Sequence, residues 1–292
     1  MLCTQCQFNT ATTSDGLCGI CVSAAAYAQP TPRPGYASNG NLAYLRSPVT
    51  LARASVALLV GVIAADLYSL WAGTVVQGVM DDLMSLDRGV GYGVGYGVGY
   101  GAVGQGTDLV REAEHADTLY AVSGWLQTAV LVATCAVFLC WFHRVRVNAE
   151  VFEPHIHSKT RGWAVGGWFV PFVNLWVPRR ITLDIWDASG DRSVALDRTM
   201  TLGGASARAT HPLVNGWWTL WVASIFVGRW ASVGYWDAEE ADEIDAAVSR
   251  MMLADVVDIA AAVLAILVVR RLTRMQDTKA RPGPVADGVH SA

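Results

Sequence analysis

The sequence predicts an all-α integral membrane protein: a four-span helix bundle with a Pro-broken re-entrant or interfacial segment and a small N-terminal zinc ribbon. Three observations support this fold class. The 292 residues are 53% hydrophobic and only 16% charged, with a mean hydropathy of +0.33, whereas a soluble domain is about 25% charged. The apolar residues are concentrated in runs long enough to cross a bilayer. Two Cys-x-x-Cys pairs precede these runs.

The N-terminal segment, residues 1–27, carries the two cysteine pairs, Cys3 with Cys6 and Cys18 with Cys21. Each pair can supply two thiolates from one tight turn, which suits a tetrahedral zinc site. A disulfide pair or four free thiols are the alternatives; a reducing cytoplasm disfavours the first and the spacing disfavours the second. We therefore predict structural Zn²⁺. Because a segment of about 25 residues cannot bury a core, the metal would supply its folding free energy.

The ribbon is predicted to engage a cytoplasmic protein rather than nucleic acid. No Lys or Arg precedes Arg33, and the formal net charge of the chain is −4, so no basic field attracts phosphates. Residues 28–50 are rich in Pro and Gly, which is typical of a linker. Residues 1–50 lack a basic start followed by an apolar core, so we predict no signal peptide and a cytoplasmic N terminus.

Four apolar runs are predicted to cross the bilayer, at residues 52–79, 119–142, 213–236 and 251–269. Each approaches or exceeds the length of about 20 residues that a spanning helix needs. Within the first run, the residues Ala57, Gly61 and Ala65 recur at intervals of four. Small residues at this spacing allow a neighbouring helix to approach closely, so we expect this stripe at a helix contact.

Residues 81–117, between the first two runs, are acidic and contain three GVGY repeats, Gly89–Tyr100. Glycine at every second position favours neither a helix nor a packed strand. We therefore expect a flexible low-complexity insertion. The alternative is a carbohydrate-binding surface formed by the repeated tyrosines, Tyr92, Tyr96 and Tyr100.

Residues 162–188 form the Pro-broken segment. Its apolar part, Trp163–Val177, has 15 residues, fewer than the roughly 20 of a spanning helix. Pro171 lacks an N–H and clashes with the preceding turn, so an unbroken helix is not expected. Non-helical backbone at membrane depth survives only where protein or water satisfies it. We therefore predict a re-entrant or interfacial segment, with Asn174 satisfying backbone groups freed by Pro171 or Pro178. Alternatively, Asn174 could orient a substrate or a lipid headgroup.

The stretch that follows is predicted to be a short helix along the membrane interface, because Ile181, Ile185 and Trp186 can share one face. The positive-inside rule then decides the topology. With four spans, the basic stretch 144–208 and the basic cluster 270–281 lie in the cytoplasm, and both acidic loops lie outside. We therefore predict a multi-pass protein of a bacterial plasma membrane, with both termini cytoplasmic and residues 275–292 disordered.

One signature is more specific. FHRVRVNAE (Phe142–Glu150) is followed by GWAVGGWFVPFVNLWVPRR, and together they resemble the bacterial membrane family called domain of unknown function 4328. The similarity covers roughly residues 51–274. Members often carry an N-terminal zinc-ribbon-like segment, and the resemblance implies a multi-span architecture but no activity. Where members commonly have an aromatic residue after the second proline, this chain has Arg179. The matching residues are Arg144, Asn148, Trp163, Trp168, Pro171, Asn174, Leu175, Pro178, Trp186, Trp217 and Trp218.

The predicted spans contain four charged residues, Asp66, Arg229, Asp255 and Asp258. At about 1.5 Å of rise per residue, all four reach the outer third of a hydrocarbon core about 30 Å thick. Charges at this depth suggest proton or cation passage. A structural ion pair around Arg229 near the wet boundary is the interpretation we prefer, because shallow depth lowers the energetic penalty.

These patterns lead to a non-enzymatic adaptor or sensor as the predicted function. A small proton, cation or solute transporter that uses the charged residues in the spans is the first alternative. The second is an intramembrane metalloenzyme that uses Glu153, His155 and His157 to bind zinc and activate water. Solvated loop histidines are the simpler interpretation of that triplet, and the sequence contains no Walker, dinucleotide-binding or GxSxG motif.

Overall fold

The computed structural model of the chain describes residues 1–4, 6–12, 15–22, 45–91, 100–190, 211–236, 238 and 240–281. Over these residues the chain is helical or irregular, with a single isolated β-bridge between Leu2 and Thr10 and no strand. The all-α prediction is therefore confirmed. A ribbon of paired strands at the N terminus is not shown.

The helices are longer than the predicted spans. Their bounds are α1 Val49–Gly91, α2 Tyr100–Phe152, α3 Trp163–Gly166, α4 Val177–Ser189, α5 Pro212–Trp236 and α6 Ala241–Ala280, with a 3₁₀ turn at Val173–Leu175. The acidic residues 81–91 and 100–117 continue the helices, because propagation of an existing helix needs little intrinsic propensity. The two ends of the GVGY repeat are thus helical, against expectation. Residues 92–99 lie outside the described residues.

Three helical stretches, Val49–Ser85, Asp108–Phe152 and Ala241–Ala280, are long and apolar enough to cross a membrane. Helix α5 has 25 residues, which corresponds to a length of about 38 Å. It is not one of these three stretches. It packs along α6.

Helix α1 is central: α2 packs on one side of it and α6 on the other. Its buried positions alternate in steps of three and four along the helix, as in a left-handed bundle. Small residues on this helix permit close packing. A Cβ added to Gly61 would lie 3.3 Å from Val130 of α2, and one added to Gly73 would lie 3.1 Å from Met252 of α6. In the predicted small-residue stripe, Gly61 and Ala65 face neighbouring helices, whereas Ala57 is exposed. The row of buried positions with this spacing is Ala52, Ser55, Leu59, Val62, Asp66, Ser69, Gly73, Val76 and Met80, and Ala65, Ala72 and Val79 are buried beside it.

The Pro-broken segment closes one end of the bundle. Helix α3 ends at Gly166, five residues before Pro171. Phe172 adopts a positive φ of 63°, and Pro178 lies in the first turn of α4. Between these breaks, the Trp168 ring packs edge-on against Phe138 of α2 and Trp221 of α5, at centroid distances of 5.6 and 5.2 Å. Trp168 therefore joins α2 to α5. We call this the motif end of the bundle, and the opposite end, with residues 81–85, 108–117 and 241–245, the acidic end.

Candidate functional site

Four cysteines form a compact cluster. The Sγ atoms of Cys3, Cys6, Cys18 and Cys21 all lie within 4.8 Å of one another, and the Cys6 and Cys18 sulfurs are 3.7 Å apart. A tetrahedral site with metal–sulfur bonds of about 2.3 Å has sulfur–sulfur edges of about 3.8 Å. The observed separation matches that edge and is far longer than a disulfide bond of about 2 Å.

Local backbone geometry holds these sulfurs in place. The N–H of Cys18 donates to the Cys3 Sγ at 3.3 Å, and Gly16 has the positive φ of 74° that a tight turn requires. Hydrogen bonds from the backbone N–H groups of Asn9 and Phe8 lower the pKa of Cys6. Hydrogen bonding with Cys18 raises the pKa of Cys21 to about 12. A metal ion bound here would replace the thiol protons, because cysteine coordinates as the thiolate.

Within the helix bundle, Gln127 of α2 bridges two of the predicted carboxylates. Its Nε2 donates to Asp66 Oδ1 of α1 and to Asp255 Oδ1 of α6, each at 2.9 Å. Asp66 is only 3% exposed, and its Oδ2 is buried without a hydrogen-bond partner. The Ser69 hydroxyl lies within hydrogen-bonding reach of Asp255. We call Asp66, Ser69, Gln127 and Asp255 the Gln127 cluster.

Asp258 lies one helical turn beyond Asp255 on α6, toward the motif end. It faces the hydroxyl of Ser224 on α5. Together with the Gln127 cluster, these residues come from all four long helices. At about 1.5 Å per residue, Asp66, Gln127 and Asp255 each lie about 20–24 Å from the first His or Arg found on the same helix toward the motif end. Those reference residues are Arg53, His143 and Arg270.

Arg229 does not belong to this group. Its side chain is exposed, and it forms no ion pair with any part of the chain that the structure describes. The expected ion pair around Arg229 is therefore not found among the described residues. The helical rotation of α5 directs Ser224 inward and Arg229 outward. Close to Arg229, Arg250 of α6 contacts α5, with its guanidinium 5.7 Å from the Trp230 ring centroid.

A separate polar network occupies the motif end. Asn148, fully buried on α2, accepts from the Arg46 N–H at 3.2 Å and donates to the Arg46 carbonyl at 2.9 Å and to Gln276 Oε1 at 3.2 Å. Gln276 of α6 donates in turn to the Val145 carbonyl at 2.8 Å and to the Ser189 hydroxyl at 3.2 Å. Asn148 and Gln276 thus tie α2, α4, α6 and the chain before α1 together.

The arginine next to this network is Arg146 rather than the motif residue Arg144. Arg146 is 2% exposed and donates to Glu150 at 3.0 Å and to the Lys159 carbonyl at 2.7 Å, whereas Arg144 reaches only the Ser47 carbonyl, at 3.5 Å, on the surface. Residues that are two positions apart on a helix point to different sides, so Arg144 and Arg146 cannot both face the interior. The sequence alone did not indicate which of the two is buried.

Asn174 does not satisfy the backbone around the prolines. Its side chain is half-buried and forms no hydrogen bond within the described ranges of the chain. The Leu175 carbonyl instead accepts from the indole N–H of Trp218 at 3.0 Å. Of the other motif residues, Trp163 is 38% exposed, Pro178 is buried and Trp186 packs against the His211 ring at 5.8 Å.

The two histidines of the proposed metalloenzyme triplet are not presented together. His155 is exposed, whereas both ring nitrogens of His157 are buried without hydrogen-bond partners. Burial and the nearby Arg146 lower the pKa of His157. Among the described residues, only the four cysteines bring three or more His, Cys, Asp or Glu side chains close enough to share a metal ion.

Comparison with known proteins finds one match. The family described as "Domain of unknown function (DUF4328)" matches residues 108–274, more than half of the chain, from the acidic start of α2 to near the end of α6. This range includes Gln127, Asn148, the Pro-broken segment and Asp255. No curated protein and no solved structure matches the chain.

Proposed function

The chain belongs to the family described as Domain of unknown function (DUF4328), and from its own residues we propose that it is an integral membrane adaptor or sensor. In this proposal, a zinc-binding module at the N terminus engages a cytoplasmic protein, and the helix bundle anchors that module to the bilayer. The single observation that carries the proposal is the four-cysteine cluster with exposed apolar residues around it.

The anchor in this proposal has four spans, with α5 crossing beside α6. Its length of about 38 Å exceeds a hydrocarbon core of about 30 Å. Four spans place the exposed basic residues of the motif end on one side and the acidic end on the other, which fits a cytoplasmic motif end in a bacterial plasma membrane. A membrane-impermeant thiol reagent applied to intact cells should label Asp108→Cys and miss Lys159→Cys. Labelling of Lys159→Cys would rule out this topology.

The metal in this proposal is zinc. Four thiolates at tetrahedral spacing suit Zn²⁺, and they also suit iron, which visible absorption distinguishes. Purified full-length protein should contain one colourless zinc per chain. Cys3→Ser with Cys6→Ser should lower this to below a tenth, while Cys135→Ser with Cys140→Ser should leave it unchanged. Equal metal content in both variants would refute the site.

The proposed partner surface is apolar. Phe8 is 90% exposed, Ile20 69% and Leu2 61%, on a module whose residues 1–22 include no Lys or Arg. Large apolar side chains that a metal-folded module leaves exposed favour a protein partner, because burying them would supply binding free energy. Nucleic acid is disfavoured, since it requires basic contacts.

A matched set of variants tests the adaptor role. Phe8→Ser with Ile20→Ser removes the apolar surface, and Thr10→Ser is a control at another exposed position of the module. After crosslinking in cells, a specific protein should be recovered with the wild type and with Thr10→Ser, and at least tenfold less with the double variant. Zinc content should be equal in all three. Recovery of the same proteins in equal amounts would contradict the adaptor role.

The two alternatives have weaker support. A metalloenzyme would need His155 and His157 on one side, and the first is exposed while the ring nitrogens of the second are buried. A transporter would need a path through the bundle, and the aromatic rings around Trp168 lie between the Gln127 cluster and the motif end. A non-enzymatic role remains a prediction, which zinc-dependent turnover requiring His157 would contradict.

A further inference from the structure

The Gln127 cluster is not explained by an adaptor role. It combines two carboxylates, an amide and a hydroxyl in the interior of the bundle, where apolar residues would pack at lower free energy. We propose that Asp66, Gln127 and Asp255 form a binding site for one small monovalent cation, either an alkali ion or a proton. This inference is independent of the zinc module, since no residue is shared.

The charge of the cluster supports the proposal. Asp66 and Asp255 share one neutral amide, and Asp258 lies one turn deeper. Within the described residues, no Lys or Arg forms an ion pair with any of the three. Carboxylates inside a bilayer are energetically costly unless they are neutralised. One bound positive charge would neutralise one of these carboxylates, and Arg229, the cation that the sequence suggested, is exposed.

The unpartnered oxygen supports it independently. Asp66 is 97% buried by area, and its Oδ1 already accepts from Gln127, but its Oδ2 has no donor. A buried carboxylate oxygen without a donor or cation is unfavourable by several kcal/mol. It lies beside Gln127, which holds the Asp255 oxygen only about 5 Å from Asp66 Oδ1, given the two N–H directions of one planar amide.

The donor chemistry fits a small, hard cation. The cluster offers the oxygens of two carboxylates, with the hydroxyl of Ser69 within reach of Asp255. Hard cations prefer such oxygen ligands, and the cluster contains no soft sulfur or imidazole ligand. A single positive charge would neutralise one of the two carboxylates, while Gln127 donates a hydrogen bond to one oxygen of each.

Two tyrosines lie on the acidic-end side of the cluster. The rings of Tyr120 on α2 and Tyr235 on α5 meet at 5.9 Å, about two turns from Gln127 toward that end. The titratable groups that face the cluster are Asp255 and Asp258 from α6, Tyr120 from α2 and Tyr235 from α5. Asp66 is the corresponding group on α1.

Thermal unfolding of the full-length protein in detergent tests the proposal. The Tm is measured at constant ionic strength with NaCl or choline chloride, at pH 8 and at pH 6. The variants are Asp66→Asn, which is nearly isosteric and removes the charge, and Asp82→Asn, an exposed control on the same helix. Sodium at a hundredfold excess over its Kd should raise the wild-type Tm by about 5–10 °C. Asp82→Asn should respond equally and Asp66→Asn should not respond.

The two sources of positive charge give different results. A sodium response at pH 8 that Asp66→Asn abolishes identifies an alkali ion. A Tm that rises between pH 8 and pH 6 in choline, without a sodium response and only where Asp66 is intact, identifies a proton. Equal responses of wild type and Asp66→Asn in both series would overturn the proposal. Asp255→Asn is measured in the same way, so that the result does not depend on one variant folding.

Discussion

Replacing Asn148 with alanine should destabilise the helix bundle, whereas replacing Asn174 should not. Both asparagines belong to the motif, so the pair is a matched comparison. Asn148 is fully buried and takes part in three hydrogen bonds with Arg46 and Gln276. Asn174 is half-buried and forms no side-chain hydrogen bond with the described residues.

The magnitude follows from the groups left without partners. Each hydrogen bond contributes about 1 kcal/mol, and a buried polar group without a partner costs about 1–3 kcal/mol. Water can reach the Arg46 backbone in Asn148→Ala, because Arg46 is exposed, but not Gln276 Oε1, which is fully buried. We therefore expect a loss of about 2–3 kcal/mol. For a domain of this size, that lowers the Tm by about 4–10 °C.

The assay is thermal unfolding of the purified protein in detergent, followed by tryptophan fluorescence. Asn174→Ala should change the free energy of unfolding by less than about 0.5 kcal/mol. Asn148→Asp should be worse than Asn148→Ala, because a carboxylate oxygen would face the Arg46 carbonyl and Gln276 Oε1. A Tm of Asn148→Ala within about 1 °C of the wild type, or an equal loss in Asn174→Ala, would refute the role we assign to this network.

Three further predictions test other parts of the bundle. Trp218→Phe keeps an aromatic ring but removes the donor to the Leu175 carbonyl, so thermal unfolding should show a free energy of unfolding lower by about 1 kcal/mol. An unchanged free energy of unfolding would mean that water satisfies this carbonyl. Because the pKa of His157 is lowered, the unfolded chain binds more protons below about pH 6.5, and stability should fall as the pH falls through this window. His157→Leu should therefore lose less Tm between pH 7.5 and 5.5 than the wild type, and an equal loss in both would exclude His157 as the cause. Arg229→Leu should change the free energy of unfolding by less than about 0.5 kcal/mol, and a loss above 1 kcal/mol would show that Arg229 has a buried partner after all.

The cysteine site was the most predictable feature. Two Cys-x-x-Cys pairs need only local turns to present four sulfurs, and one closing contact brings the pairs together. The helical class was equally predictable, because a long apolar run in a bilayer satisfies its own backbone hydrogen bonds only as a helix. The break at Pro171 was predictable for the same local reason, since proline cannot continue a helix.

The polar partners inside the bundle were harder to predict. Gln127 lies in an apolar run of the second span, and this uncharged amide among apolar neighbours was its only signal. Gln276 lies beyond the predicted end of the last span, where a polar residue is expected at the surface. The motif pointed to Arg144, so Arg146, two positions further along the same helix, was not singled out. In each case the residue type was visible, but its partner was not.

Composition and local spacing by themselves determined that this chain forms long apolar helices, a broken segment at Pro171 and a cluster of four cysteines. Transfer free energy and ligand spacing are properties of short stretches, so they can be evaluated without the rest of the chain. Only the tertiary structure decided that Gln127 joins Asp66 to Asp255 and that Arg229 faces outward. A rotation of about 100° per residue changes the face that a side chain occupies. That rotation is set by the packing of four helices together.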